Sequence, residues 1–535
     1  MRGRHRVGLA APREDHPEAR EPHRPLASRP LRVRLPRPRP APEDRLLGSR
    51  ASAARFGRLV LEEVLDQLLG EGGRTYSGAS AARLTRLFDG ALPEHGRDPA
   101  RALRNLRRTV VRHSMRMSHP RLFGLFCAAP LPVAVFAELL AASLNQSVDA
   151  WKAGPAAAHV EMRLLRWIND LIGFGPGAFG VLTSGGGVAN TLALKMARDR
   201  ALGDRARSMG TAGPLARRLR VYASEEAHFS IRRSLDLLGL GERALVLVPV
   251  DRGRRMRADR LAQRLALDRA QGLRPMAVVA TAGTTSTGNV DPIRKITAAA
   301  HAAGAHCHVD AAYGGALLFS ARRRGLLDGL ETADTVTVDP HKWLFQPFSL
   351  GMLLARNGSR LRRSFETEPD YLRKDLEAER GRLDFYHYSL EGSRPFRGLK
   401  LYLTIQVLGR TGLGRLVDRT LDVALALERR VRRDPRFEVF DAPVELATVC
   451  FRYLPEWARP LPPAGRRTPA ARGRLNRAQI AIQQEVERRG YTWFPTLRLD
   501  GEVYFRFGIF NYRTRDEDVA AVLRHIARVA AGRRL

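Results

Sequence analysis

Between about residues 157 and 356, short apolar segments alternate with helical segments, and this alternation restricts the fold more than any other feature of the sequence. Hydrophobic residues occupy successive positions of the apolar segments, so both of their faces are apolar. Strands of this kind are typical of a parallel sheet that is covered by helices on both sides. The clearest are FGVLT (179–183), RVYAS (220–224), MAVVATA (276–282) and TVTVD (335–339). The sequence therefore predicts an α/β fold with a mainly parallel, doubly wound sheet.

Four regions are expected along the chain. Residues 1–50 are rich in arginine and proline and have no helical or strand period, so they are predicted to be disordered. Residues 51–133 contain amphipathic helical patterns and are predicted to form a helical segment that takes part in dimerisation. The alternating segments place a large domain at 134–410. A small α+β domain, with two or three strands flanked by helices, is expected at 411–535.

The net charge of +35 also bears on which functions are possible. Such a charge can indicate nucleic-acid binding, but here the arginines are spread along the whole chain, and only the N-terminus is a basic low-complexity block. We therefore predict no specific nucleic-acid partner, although an inactive, basic polyanion-binding protein stays an alternative. No apolar run reaches about 18 residues, so no membrane span is expected. The three cysteines have no paired spacing, which favours a reducing, cytoplasmic location.

A lysine at the end of a predicted strand is the first candidate for chemistry. In TVTVDPHKWLF, Pro340 cannot donate to a sheet ladder, so the strand should end before it. Lys342 then lies at a buried strand end beside Trp343. Desolvation disfavours the ammonium form, and the amine becomes available as a nucleophile. The chain has only six lysines and uses arginine for nearly all its positive charge, so Lys342 calls for a chemical role.

The run Ser184-Gly185-Gly186-Gly187 lies between a predicted strand and a predicted helix. Glycines let backbone N–H groups approach an anion, and a helix N-terminus favours negative charge, so the run is a candidate phosphate site. It has neither the Gly-Lys-Ser/Thr of a Walker loop nor the GxGxxG dinucleotide spacing. The alternative is a tight turn without a ligand.

Two further candidates follow predicted strands. Asp310, in HCHVDAAYGG, should be buried, and a buried carboxylate needs a partner such as a protonated heterocycle nitrogen. Its alternative role is a capping residue. His228, in SEEAHFS, is either a turn histidine or an imidazole stacked on a planar ligand, and nothing local decides between the two.

The histidines and the cysteine before Asp310 have the composition of a metal site but not its geometry. Strand alternation sends His306 and His308 to one side and Cys307 to the other, and His301 belongs to the preceding helix. We predict no metal.

These segments occur in an order that resembles the group II pyridoxal-phosphate-dependent decarboxylases, which include the aromatic-amino-acid, histidine and glutamate decarboxylases. The glycine run, SEEAHFS, TAGTT (281–285), HVDAAYGG and DPHKW carry the resemblance, with HPRLFG, NQSVDAW and SRPFRGLK around them. It covers the chain from about residue 56 to the C-terminus. It implies the aspartate-aminotransferase-like fold type I and a homodimer with the active site at the interface. The implied reaction is the decarboxylation of an L-amino acid to an amine and carbon dioxide, with pyridoxal 5'-phosphate as cofactor.

The resemblance also implies roles for the candidate residues. Lys342 would hold the cofactor covalently, Asp310 would pair with its ring nitrogen, and His228 would stack on the ring and take part in proton transfer. The remaining cofactor contacts would be Gly185, Gly186, Gly187, Thr285, Ala312 and His341.

Substrate contacts follow from the same resemblance. Phe123, Phe126 and Pro130 would line the substrate entrance and favour an apolar or aromatic side chain. Arg506, in VYFRFGIF, would reach a substrate carboxylate, unless it is an alternating solvent-facing residue.

The family has a mobile loop from the partner subunit whose tyrosine protonates the substrate carbon. We expect this loop within residues 373–392. Counting back from Arg394 places Phe385 at the tyrosine position, with Tyr386 next to it. Phe385 there would favour an aldehyde-forming oxidative decarboxylase, and Tyr386 would favour an ordinary decarboxylase. Another lyase of the same fold is a further alternative.

Overall fold

The structure is a computed structural model that describes residues 49–70, 72–203, 205–367 and 381–533. Nearly all of the segment predicted to be disordered, and residues 373–380 of the predicted loop, lie outside these ranges. The chain divides into two units, Met1–Gly57 and Arg58–Leu535. The described residues of the first unit hold only the beginning of one helix, so the fold below is that of the second unit.

Within the described ranges, five α-helices precede the first strand. The short α2 and α3 begin where the sequence supplies caps, because the side chains of Ser80 and Asp98 accept hydrogen bonds from the first helical turns. The five helices are α1 (Arg50–Leu69), α2 (Ala81–Phe88), α3 (Pro99–Thr109), α4 (Pro132–Leu144) and α5 (Pro155–Ile172).

A seven-stranded sheet forms the centre of the large domain. Its strands are β1 (Phe179–Thr183), β2 (Leu219–Ser224), β3 (Leu245–Val248), β4 (Arg274–Thr281), β5 (His306–Asp310), β6 (Thr335–Val338) and β7 (Gly351–Ala355). The strand order is β1-β7-β6-β5-β4-β2-β3, and only β7 runs antiparallel to its neighbours. The predicted mainly parallel α/β sheet is confirmed.

Helices separate these strands and cover the sheet. They are α6 (Gly186–Leu202), α7 (Arg205–Met209), α8 (Pro214–Arg217), α9 (Ser230–Leu237), α10 (Ala258–Ala270), α11 (Ile293–Ala302), α12 (Pro340–Trp343) and α13 (Gly358–Phe365). Since the six strands other than β7 are parallel, their carboxyl ends meet at one edge of the sheet. The segments after β1, β2, β4, β5 and β6 carry the candidate residues.

The C-terminal part combines helices with a four-stranded antiparallel sheet. Its helices are α14 (Gly398–Arg433), α15 (Pro463–Arg466), α16 (Pro469–Arg489) and α17 (Asp516–Ala531). The strands β8 (Phe437–Val439), β9 (Thr448–Tyr453), β10 (Thr496–Leu499) and β11 (Glu502–Gly508) pair in the order β10-β11-β9-β8. Helix α16 begins at Pro469 inside the Pro/Arg-rich segment 461–473, because proline is well tolerated in the first turn of a helix.

The predicted domain boundary at residue 410 falls within α14. This helix is interrupted at Gly409, where φ is 64° and ψ is 175°. None of the helices in the described ranges is both long and apolar enough to cross a membrane.

Candidate active site

Lys342 lies on the short helix α12, directly after β6. Its Nζ is 3.1 Å from Oδ2 of Asp339, and the lysine side chain is 22% exposed while that of Asp339 is 2% exposed. Trp343 is fully buried and donates its Nε1–H to Oγ1 of Thr420 over 2.8 Å. The turn is therefore anchored by the tryptophan, and the lysine amine remains accessible.

Asp310 ends β5 as a buried carboxylate. Its Oδ2 accepts a hydrogen bond of 2.8 Å from Nδ2 of Asn190, and its Oδ1 accepts one of 3.1 Å from the backbone N–H of Ala312. Within the described ranges, no lysine or arginine forms an ion pair with it. A buried carboxylate that lacks a cation suits a protonated pyridine nitrogen.

His228 follows β2, and the groups around its Nδ1 fix its tautomer. Oγ of Ser230 lies 2.8 Å from Nδ1, and the backbone N–H of Ser230 donates to the same atom over 3.3 Å. Nδ1 is therefore an acceptor, and the neutral ring carries its hydrogen on Nε2. Burial lowers the pKa of His228. Asn190 also donates to Oγ of Ser230 over 3.0 Å, so Asn190 contacts both Asp310 and the residue that orients His228.

The glycine run forms the N-terminus of α6 and is closely packed on one side only. A Cβ on Gly186 would lie 2.8 Å from Oδ2 of Asp339 and 3.1 Å from Cβ of Ala312. A Cβ on Gly185 would lie 3.2 Å from Cε1 of His341. Gly187 faces open space, because its Cβ would meet nothing closer than Cβ of Ser230 at 3.9 Å. Free backbone N–H groups of a helix start beside open space form an anion site.

These residues fit pyridoxal phosphate. The helix N-terminus can take the phosphate, Lys342 the aldehyde carbon, and Asp310 the ring nitrogen. Ala312 and His341 lie against the glycine run, and His228 is linked to Asp310 through Ser230 and Asn190.

Aromatic rings lie beside Lys342. The ring of Phe126 has its centroid 5.8 Å from Nζ of Lys342, and it packs against Tyr313 at 5.0 Å and Phe510 at 4.9 Å. Phe123 has no exposed surface and stacks on Phe507 at 4.5 Å, which places it in the packing against the small sheet. Of the predicted entrance residues, Phe126 is thus the one whose ring neighbours the lysine; Pro130 is half-buried.

Arg506 reaches the same ring from β11. Its Cζ lies 4.4 Å from the centroid of Phe126, and its NH1 donates to the carbonyl of Thr285 over 2.9 Å. The residue is 8% exposed, so the solvent-facing alternative is wrong. Its Nε has no hydrogen-bond partner, and no carboxylate of the described residues pairs with it. Desolvation lowers its pKa.

Phe385 and Tyr386 lie in a 3₁₀ turn, Phe385–Tyr388. Phe385 is fully buried, with its ring centroid 6.0 Å from that of Phe179 on β1 and 4.9 Å from Cζ of Arg394. The backbone N–H of Tyr386 donates to the carbonyl of Asp149 over 3.2 Å. Phe385 is therefore packed in the core.

Asn190 and Ser230 are not among the predicted site residues, and Asp339 is predicted only as the end of a strand. Asn190 follows the glycine run by about one helical turn, so it returns to the side of α6 that faces the site. A buried polar residue at that spacing was the available signal.

The candidate metal ligands are arranged differently. His306 and His308 both contact Thr335, and Cys307 contacts Thr297. In the part of the chain that the structure describes, no group of three His, Cys, Asp or Glu side chains could hold a metal ion.

Comparison with known proteins agrees with this geometry. The model of the pyridoxal-dependent decarboxylase conserved domain matches residues 82–454. An L-2,4-diaminobutyrate decarboxylase of Rhizobium meliloti is 35% identical over 495 residues, which are 91% of this chain and 94% of that protein. An aromatic-L-amino-acid decarboxylase of Bacillus atrophaeus is 30% identical over 440 residues, 82% of this chain and 87% of that protein.

A solved structure of Oryza sativa TDC with PLP and tryptamine is 25% identical and superposes with a TM-score of 0.82, covering 90% of this chain and 98% of that one. The predicted carboxy-lyase activity and its cofactor are confirmed. The chain belongs to the family of pyridoxal-dependent decarboxylases and is a pyridoxal-phosphate-dependent amino-acid decarboxylase.

Proposed function

We propose that this enzyme decarboxylates an aromatic L-amino acid to its amine. The observation that carries the proposal is the ring of Phe126, which lies 5.8 Å from the Lys342 amine and is backed by Tyr313 and Phe510. A flat apolar side chain on the substrate gains contact area and favourable ring–ring geometry against such a wall.

A second candidate, an amino acid with an acidic side chain, is favoured by Arg506. A buried arginine without a carboxylate leaves the cost of its desolvation uncompensated, and an anionic substrate group would offset that cost. An ion pair to the carboxylate that leaves would also stabilise the ground state and slow its loss. Arg506 therefore suits a side-chain acid better than the departing group.

The residues of the site divide the chemistry between them. Bound pyridoxal phosphate supplies an electron-withdrawing ring for the electron pair released with carbon dioxide. Lys342 would hold the cofactor through its amine. Asp310 would accept a hydrogen bond from the protonated ring nitrogen, and His228 would present the hydrogen on its Nε2 to the bound ring, since its Nδ1 is occupied by Ser230. The rings around Phe126 exclude water from the substrate side chain.

The substrate assay compares carbon dioxide release and amine formation over aromatic, acidic and diamino L-amino acids. The last class is included because the Rhizobium meliloti relative is named for 2,4-diaminobutyrate. We expect the highest kcat/KM for an aromatic substrate, and a fall of about tenfold or more for that substrate in Phe126→Ala.

In Arg506→Gln, kcat/KM for an aromatic substrate should change less than tenfold. A loss of about a hundredfold, roughly 3 kcal/mol, is expected only if an acidic side chain is the natural ligand of Arg506. A clear preference of the wild type for a diamino or acidic substrate would overturn the aromatic proposal.

The product depends on which tyrosine delivers the last proton. The predicted loop, 373–392, contains Tyr386 and Tyr388, and Tyr371 precedes it by two residues. Tyr388 packs on Phe179 at 4.8 Å, and the turn that carries Tyr386 is held by Asp149 and by the buried Phe385. We place the role on Tyr371, which lies outside the described residues, and therefore propose the amine and not the aldehyde as product.

The test compares Tyr371→Phe with Tyr386→Phe as the matched control. We expect Tyr371→Phe to lose amine formation and to release aldehyde, ammonia and peroxide, while Tyr386→Phe keeps the amine. Aldehyde formation by the wild type, or a wild-type product ratio in Tyr371→Phe, would refute this assignment.

We also propose that a second copy of this chain covers α4. One face of this helix buries Ala134, Ala137 and Ala141, and an adjoining face is apolar but exposed. That exposed face consists of Phe136 (38% exposed), Leu139 (67%), Leu140 (51%) and Leu144 (49%). A contiguous apolar face of this kind is typical of a subunit interface. The homodimer is proposed to be cytoplasmic, in keeping with the three cysteines, which form no disulfide.

Sedimentation equilibrium checks the dimer. Leu139→Glu should weaken association by about tenfold or more, whereas Leu237→Glu, at a position that is 75% exposed on α9, should leave it unchanged. A monomeric wild type at micromolar concentration would exclude the dimer.

A further inference from the structure

His306 and His308 belong to a buried network of hydrogen bonds. Nε2 of His306 lies 2.8 Å from Oγ1 of Thr335, and the same oxygen lies 2.9 Å from Nδ1 of His308. Nε2 of His308 lies 3.0 Å from Oδ1 of Asn190. All four side chains are at most 4% exposed. This series of hydrogen bonds leads from His306, the first residue of β5, to Asn190, which contacts Asp310.

The direction of each hydrogen bond follows from Asp310. An ionised carboxylate only accepts, so Asn190 must present its NH2 group to Asp310 and its oxygen to His308. His308 then donates from Nε2, and its Nδ1 accepts from the hydroxyl of Thr335. The single hydroxyl hydrogen of Thr335 is used in this way, so Thr335 accepts from Nε2 of His306. Every donor points towards Asp310.

This arrangement requires both histidines to be neutral. Burial lowers the pKa of His306 to about 3 and that of His308 to about 4, so each carries one ring hydrogen at neutral pH. Nδ1 of His306 faces Oδ2 of Asp334 at 3.9 Å, which raises the pKa of His306, and the charges of Arg200 and Arg360 lower it. Asp334 itself is paired with Arg356 at 3.1 Å and with His301 at 3.0 Å.

We propose that His306, Thr335, His308 and Asn190 form a positioning relay that aims the Asn190 amide at Asp310 and Ser230 and thereby keeps the cofactor ring nitrogen protonated. One N–H of Asn190 serves the carboxylate, and the other serves the serine that orients His228. A single side chain thus couples the two groups assigned to the cofactor ring.

Breaking the relay at Thr335 has a defined consequence. Without the hydroxyl, Nδ1 of His308 loses its donor, and the ring is free to take the Nδ1–H tautomer. The lone pair of Nε2 then faces Oδ1 of Asn190, and the amide gains by turning its oxygen towards Asp310. Two acceptors facing each other disfavour the ionised carboxylate, so the ring nitrogen loses its proton more readily.

The test measures the ring proton itself. The holoenzyme is loaded with pyridoxal phosphate labelled with ¹⁵N in the ring, and the ¹⁵N chemical shift is followed against pH. In Thr335→Val the midpoint for loss of the ring proton should fall by about one pH unit, a tenfold change in proton affinity. Thr335→Ser, which restores the hydroxyl, should keep the wild-type midpoint.

Thr297→Val is the matched control, since Thr297 is an equally buried threonine that contacts Cys307 between the two histidines. It should keep the wild-type midpoint. If Thr335→Val fails to fold, two substitutions of His308 provide the test. His308→Gln retains a donor for Asn190 and should keep the wild-type midpoint for loss of the ring proton. His308→Leu has no such donor and should lower that midpoint.

An unchanged midpoint in Thr335→Val or His308→Leu, or an equal shift in Thr297→Val, would overturn the relay. The proposal requires the cofactor but no particular amino-acid substrate. The ¹⁵N signal of the wild type reports cofactor binding by itself, so failure of the substrate proposal leaves this test intact.

Discussion

Gly186→Ala should destabilise the fold, whereas Gly187→Ala at the neighbouring position should leave the fold intact and weaken cofactor binding. In Gly186→Ala the new Cβ lies 2.8 Å from Oδ2 of Asp339 and 3.1 Å from Cβ of Ala312. The Asp339 carboxylate has no room to move away from this Cβ, because its other oxygen, Oδ1, packs against Gly351. A Cβ on Gly351 would lie only 2.6 Å from Oδ1. Overpacking of this kind costs about 1–3 kcal/mol. The gain of alanine over glycine in a helix, about 1 kcal/mol, offsets only part of that.

Gly187→Ala meets no such neighbour, since its Cβ would be 3.9 Å from Cβ of Ser230 and otherwise in open space. The cofactor-free protein should therefore be unchanged or slightly more stable. The open space is, however, where an anion at the start of α6 would sit. Cofactor affinity should fall by about tenfold or more, which corresponds to about 1.4 kcal/mol.

Two measurements separate these effects. Thermal unfolding of the cofactor-free proteins should show a lower Tm for Gly186→Ala and a wild-type Tm for Gly187→Ala. Equilibrium dialysis then gives the dissociation constant of pyridoxal phosphate, which should rise in Gly187→Ala. The reasoning is refuted if Gly187→Ala destabilises the cofactor-free protein as much as Gly186→Ala does, or if Gly187→Ala binds the cofactor as tightly as the wild type.

Three further predictions address the lysine, the buried histidines and the anchoring tryptophan. Lys342→Ala should leave no cofactor attached after borohydride reduction, as read by the mass of the intact protein; a retained adduct would move the attachment site elsewhere. His306 and His308 stay neutral in the fold, so the unfolded chain takes up their protons first as the pH falls below 6.5, and stability is lost towards pH 4. Each histidine contributes roughly 2 kcal/mol of this loss in unfolding free energy by pH 5. His306→Asn should therefore show a smaller drop in Tm between pH 7 and pH 5 than the wild type. An equal drop would contradict the assignment of a neutral, buried His306. Trp343→Phe removes the 2.8 Å bond to Thr420 and should lower stability by about 1–2 kcal/mol, with cofactor binding weakened in parallel if the turn positions Lys342.

The fold could be predicted because its pattern is local. Strands that are apolar on both faces, alternating with helices, leave few arrangements other than a covered parallel sheet. The antiparallel direction of β7 was not predictable in this way. Its sequence, GMLLA, is as apolar as that of the parallel strands, and its direction follows from the chain returning directly from α12.

The site was predictable to the extent that each residue follows a strand. Lys342, Asp310, His228 and the glycine run all lie at carboxyl ends of parallel strands, and such ends share one edge of the sheet. Phe385 shows the opposite case. A count of residues suggested a catalytic loop position, and only its packing on Phe179 revealed a core residue.

The sequence by itself determined the type of sheet, because alternating apolar strands and helices are a local pattern. The order of its motifs, through their resemblance to the decarboxylases, gave the cofactor class and the prediction that Lys342 anchors it. The tertiary structure alone decided which polar groups meet. Asn190 joins Asp310 to Ser230 across three separate elements, and His306 joins that network from the far end of β5. Hydrogen bonds depend on distances of a few tenths of an ångström between segments that are remote in sequence, and no local pattern encodes such distances.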